Sequence, residues 1–97
     1  MIHNLNVDLE TFSSEPIQKV GLYKYARSPD FEILLFGYSL DGYPVQVLDL
    51  TQQPELPGNI KSLLLSPAVI KHAFNAAFEW QCLSKYLNLP DPCSWLP

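Results

Sequence analysis

Between Leu5 and Glu10 the chain alternates Leu, Val and Leu with Asn, Asp and Glu, the period of a strand with one apolar and one polar face. Thr11 to Pro16 reads as a turn. From Ile17 to Arg27 apolar residues fall at 17, 20, 22, 23 and 26, which predicts a short helix despite Gly21. Pro29-Asp30 breaks it. Phe31 to Leu40 is apolar and rich in strand formers, Asp41-Gly42 follows, and Tyr43 to Leu50 alternates again. Two such runs flanking Asp-Gly predict a β-hairpin. Pro54 to Gly58 reads as a loop, and Asn59 as the N-cap of a short amphipathic helix over Ile60 to Leu65, ended by Pro67. Val69 to Phe74 is a further short strand. A helix then opens at Asn75 or Ala76 and runs to about Leu87, with apolar positions 76, 80, 83 and 87. Residues 88–97 carry three prolines and Trp95 and read as an irregular tail.

The predicted order is strand, helix, hairpin, helix, strand, helix. A hairpin combined with crossover helices gives a mixed sheet flanked by helices, hence an α/β domain. Nine prolines cut the chain into segments too short for a helical bundle. At 97 residues it is one small domain or part of one, since two full cores would not fit.

Composition narrows the function classes. Apolar residues make up 47%, which argues against disorder. Charged residues are only 16%, against a norm of about 25%, so apolar surface is expected to await a partner or more of the chain's own sequence; a sheet left with unpaired edges and such surface uncovered should tend to self-associate. The net charge of −4 argues against a protein held to nucleic acid by a broad basic face. It leaves open an acidic site that reaches nucleic acid through metal ions. Cys82 and Cys93 form neither a zinc knuckle nor a disulfide framework, which fits a reducing, cytoplasmic setting. No apolar run is long enough to span a membrane, and the polar start at His3, Asn4 and Asn6 is not that of a secretory signal.

Two constellations carry candidate chemistry. In Asp8-Leu9-Glu10-Thr11 the two carboxylates stand at i and i+2, so they project from the same face of the first strand near its end. Like charges that close repel, and a hard divalent cation removes that penalty. The plain alternative is a solvated strand edge. In Asn75-Ala76-Ala77-Phe78-Glu79, at a strand-to-helix junction, Asn75 suits an N-cap, Phe78 the core, and Glu79 the helix dipole. Together the two collect Asp8, Glu10 and Glu79 and leave the rest of the chain near −1, so the acidity is concentrated. The six lysines and arginines are scattered singly and read as solvated surface; His72 reads as a packed or surface residue.

These residues resemble the N-terminal part of the 3′–5′ exonuclease (proofreading) domain of DNA polymerase I-like, family A polymerases of phages and prophages. Asp8-Leu9-Glu10-Thr11 is similar to the first exonuclease motif, Asp-x-Glu-Thr, and Asn75-Ala76-Ala77-Phe78-Glu79 to the second, Asn-x-x-Phe-Asp. The stretches Val20 to Ala26 and Phe31 to Tyr38 resemble the intervening helix and strand, so the likeness covers essentially all of residues 1–97.

The resemblance implies a ribonuclease H-like fold, incomplete here, and two-metal hydrolysis of DNA from the 3′ end with magnesium or manganese. Asp8 would ligate both metals, Glu10 one, and Glu79 the second. Thr11, Asn75 and Phe78 would lie along the 3′-terminal nucleotides, and the remaining partner would be the rest of the polymerase chain. Three departures stand out. Glu79 replaces an Asp. Phe74 stands where related phage sequences often carry a His, which suggests packing there. The third motif, Tyr-x-x-x-Asp, is missing, and the one His-x-x-x-x-Asp match, His3 to Asp8, is out of order. The fragment is therefore expected to be weakly active or inactive. The competing expectation is a non-catalytic scaffold that keeps the sheet and has lost the chemistry, or a different ribonuclease H-like, metal-dependent hydrolase.

Overall fold

The computed structural model describes residues 3–53, 55–89 and 92–96. The elements are β1 (Asn4–Phe12), α1 (Ile17–Arg27), β2 (Glu32–Leu40), β3 (Gln46–Asp49), α2 (Gly58–Leu65), β4 (Ile70–His72), α3 (Ala76–Ser84), a short 3-10 turn (Pro92–Ser94) and β5 (Trp95–Leu96). The strands form one mixed sheet in the order β3-β2-β1-β4-β5. β1 pairs antiparallel with β2, and β2 with β3, whereas β4 runs parallel to both β1 and β5. The fold class is α/β, as the sequence predicts.

β1 is the central strand, and its alternation is clean. Leu5, Val7 and Leu9 are buried, while Asn6, Asp8 and Glu10 are exposed on the other face. Phe36 of β2, Ile60 and Leu64 of α2, and Cys82 and Leu83 of α3 complete the core with Trp95. The hairpin turns at Asp41-Gly42, both at positive φ (46° and 83°), with Tyr43 N–H donating to Leu40 O at 2.8 Å. The Asp41 carboxylate also accepts from the Asn4 N–H at 2.7 Å, and this bond holds its pKa below the ordinary value. The ladder resumes only at Gln46, because Pro44 has no N–H to give it.

Several expectations are corrected. α1 is kinked at Gly21, whose φ of 83° and ψ of 168° are not helical. α2 begins at Gly58 behind Pro57, so Asn59 lies inside its first turn instead of capping it. Pro57 stands at the N-cap with an extended ψ of 147°, and no side chain caps this end. α3 stops at Ser84, where i→i−3 bonds from Lys85 N to Cys82 O and Tyr86 N to Leu83 O tighten its end. The tail is not wholly irregular: Trp95–Leu96 add a fifth strand, its register Lys71↔Trp95 and His72↔Leu96. Positions 90, 91 and 97 of the expected tail lie outside the described residues.

Lys71 departs most from its expected place. It is fully buried, and its Nζ donates to Ser66 O at 2.5 Å, Val69 O at 2.9 Å and Ser94 Oγ at 2.9 Å. A buried ammonium persists only where such acceptors surround it. The side chain ties the α2–β4 turn to the residue just before β5, which explains how so short a strand stays on the sheet.

Candidate active site

Asp8 and Glu10 project from the outer face of β1, as their spacing predicts, and both are exposed. Across the ladder from Asp8 stands Gly37, where a Cβ would come within 3.9 Å of Asp8 Cβ. The missing side chain leaves the flank of Asp8 open. Sequence reasoning gave Gly37 no role of its own; an isolated glycine inside an otherwise apolar strand is the signal that marks such a position. The register then shifts: Glu10 pairs with Leu35 but Thr11 with Ile33, so Leu34 is the extra residue of a β-bulge. The bulge re-aims Thr11, which is half-buried with its Oγ1 2.9 Å from Tyr25 Oη.

The second constellation sits at the start of α3. Asn75 is its N-cap, and its Oδ1 accepts from the Phe78 N–H at 3.4 Å. Phe78 is half-buried against Tyr25, ring centroids 6.1 Å apart. Phe74, expected to pack, is instead fully exposed. The turn between β4 and α3 carries it away from the core that holds its neighbour Ala73.

Glu79 is 5% exposed, and its Oε2 is buried without a hydrogen-bond partner. Burial pushes its carboxyl up to about 7; its own backbone N–H offsets part of the rise, and the charge of Asp8 adds to it. The fold thus brings Asp8 and Glu79 into one electrostatic neighbourhood, on different elements. Glu10 shares the face of Asp8. As the side chains stand, no group of three His, Cys, Asp or Glu among the described residues is close enough to hold a metal ion. The donor set nevertheless fits a hard divalent cation: all three are carboxylates, and one offers a buried oxygen lacking any partner.

The other candidates serve structure. His72 Nε2 lies 2.9 Å from Asn4 Oδ1. Cys82 is a free, buried thiol, pushed up to about 12 by burial, then by Glu79. The Cys93 side chain lies outside the described residues. Among those residues no helix is long and apolar enough to cross a membrane.

The sheet order and the parallel crossovers give a ribonuclease H-like α/β fold. Its likeness to RNase D of Trypanosoma brucei, solved in complex with RNA U12, has a TM-score of 0.62 at 18% identity, over 91% of this chain and 28% of that one. In sequence the chain is similar to the DNA polymerase of Bacillus phage SP02, 49% identical over 92 residues. That match takes in 94% of this chain but spans only 14% of the relative's length. No family model matches the chain.

Proposed function

We propose that the chain is the first part of a 3′–5′ exonuclease domain belonging to a phage-type DNA polymerase, and that the intact parent removes nucleotides from the 3′ end of single-stranded DNA as proofreading. The observation that carries this reading is Glu79. A buried carboxyl with one oxygen left unpartnered, in the field of a second acid on the strand that bears Asp-x-Glu-Thr, has no structural use that a neutral residue would not serve better. The 49% identity to a phage DNA polymerase supports the same reading.

Asp8, Glu10 and Glu79 would hold magnesium or manganese. When bound, two such cations activate the attacking water and stabilise the leaving 3′ oxygen. Asn75 holds the start of α3 in place, and through it Glu79. Thr11 and Phe78 form a polar and an aromatic wall for the terminal nucleotides. Glu79 is one methylene longer than the Asp of the motif, so it reaches the same charge from farther back. Without the third motif the fragment has weak activity or none. Its partners are the DNA 3′ end and the rest of the polymerase chain in the cytoplasm. The apolar flank of the edge strand at Tyr43, Val45 and Val47, each more than 60% exposed, supports self-association of the fragment.

A non-catalytic scaffold is the second reading, favoured by the absence, among the described residues, of a three-ligand cluster. A manganese titration followed by NMR, beside Asp8→Ala, separates the two. Saturable broadening around Asp8, Glu10 and Glu79 that is lost in the variant supports the nuclease; no localised broadening favours the scaffold.

A further inference from the structure

We infer that Tyr25 is a positioning residue for the substrate wall formed by Thr11 and Phe78, an inference that rests on the function just proposed. Tyr25 touches both residues at once. Its hydroxyl lies 2.9 Å from Thr11 Oγ1, and its ring sits 6.1 Å from that of Phe78. The same ring meets the buried Phe31 edge-on, at 5.8 Å and 75°. The base of the side chain is thus anchored on the core while its tip reaches the site.

The helix that carries Tyr25 is itself fastened. Arg27 donates to Gln81 O at 3.3 Å and to Ser84 Oγ at 3.2 Å, and Lys85 donates to Ser28 O at 2.8 Å. The C-terminal end of α1 is therefore bound to α3, the element that bears Phe78 and Glu79. Thr11 needs such a brace. It sits at the bulge, where the regular ladder gives way and no longer dictates the direction of its side chain.

Either hydroxyl can donate across the Tyr25–Thr11 contact, and the proposed substrate selects the direction. Phosphate oxygens only accept, so a hydroxyl that holds nucleic acid through them must donate. When Tyr25 O–H donates to Thr11 Oγ1, the proton of Thr11 is left for an acceptor outside the protein. With phenylalanine at position 25, the Thr11 hydroxyl loses its partner and is free to rotate. The ring support of Phe78 would be kept. The polar half of the wall and the aromatic half are thus separable by one atom.

The test is a double-mutant cycle on Tyr25→Phe and Thr11→Val in the 97-residue chain. The readout is the Kd for a short fluorescent oligothymidylate with manganese present and a non-hydrolysable terminal linkage. Each single variant is expected to weaken binding by about 3- to 10-fold, the range of one hydrogen bond, and the double variant no more than Thr11→Val alone. Thr11→Ser, which keeps the hydroxyl, restores the effect of the tyrosine. A Tyr25→Phe chain that binds like the parent, or losses that simply multiply, overturns the relay while leaving the nuclease site standing. A parent chain that binds no oligonucleotide and shows no manganese effect at Asp8 overturns the proposed function and this inference with it. Unfolding midpoints measured alongside identify a purely structural tyrosine, which would move stability and leave the Kd unchanged.

Discussion

Glu79→Gln tests the central electrostatic feature of the site without touching its shape. The carboxyl titrates near 7 in the folded chain against an ordinary 4.5. The native state therefore holds this proton more tightly than the unfolded chain does. Its contribution to stability is fully present below about pH 4.5 and is lost as pH rises through about 7. At about 1.36 kcal/mol per pH unit the full loss would be about 3.4 kcal/mol. Solvent screening of a group this near the surface reduces it, so about 1–2 kcal/mol is expected. Glutamine has no proton to release and escapes this loss. In urea unfolding followed by tryptophan fluorescence, with chelator present, the variant should gain about 1–2 kcal/mol on the parent between about pH 4.5 and pH 8. For a chain of this size that is a midpoint shift on the order of 1 M urea. Any cost of the amide itself is the same at both pH values and cancels in the comparison. A difference between variant and parent that does not change with pH would refute the argument. On the proposed function, adding manganese at high pH should narrow or reverse the ranking, since it binds more tightly to the chain that keeps all three carboxylates.

Asp8→Asn removes the like charge beside Glu79 and should lower the Glu79 pKa from about 7, read by carboxyl NMR. Because Asp8 is exposed, stability should change by less than about 0.5 kcal/mol. Phe36→Ala opens a cavity under a fully buried ring and should cost about 3–5 kcal/mol in urea unfolding, whereas Phe74→Ala, at a fully exposed ring, should leave the midpoint unchanged. Lys71→Ala deprives the Ser66 and Val69 carbonyls and the Ser94 hydroxyl of their donor. It should cost about 2–4 kcal/mol and free the end of the chain, seen as faster proteolysis beyond residue 89.

The elements that sequence periodicity identified are those whose pattern is decided locally. β1 alternates because one face meets the core, and the hairpin follows from two residues that tolerate positive φ. What it missed is decided by distant chain. Lys71 reads as a surface cation because its neighbours in sequence are unremarkable. Its burial depends on a serine 23 positions later. β5 is only two residues long and exists because β4 offers an open edge and Trp95 a buried ring. No local propensity encodes either fact. α2 and α3 were found, but their ends were displaced by Pro57 and by the 3-10 tightening at Tyr86.

The site divides along the same line. Asp8 and Glu10 were legible because an i, i+2 spacing on a strand leaves one geometry open. Asn75 was legible as a cap because the cap bond spans only three residues. Glu79 was legible as an acid but not as a buried one, since its environment is set by where α3 lands against β1. That placement also explains how the same residue can be costly to the fold and useful to the site. The strand presents Asp8 and Glu10 to water, where their charges are cheap to keep. The helix withholds Glu79 from water, where its charge is not. A protonated Glu79 lets the fragment fold with two exposed carboxylates and one neutral acid. On the proposed function, a divalent cation at the same place would let the third charge form and would add its binding energy to the stability of the fold.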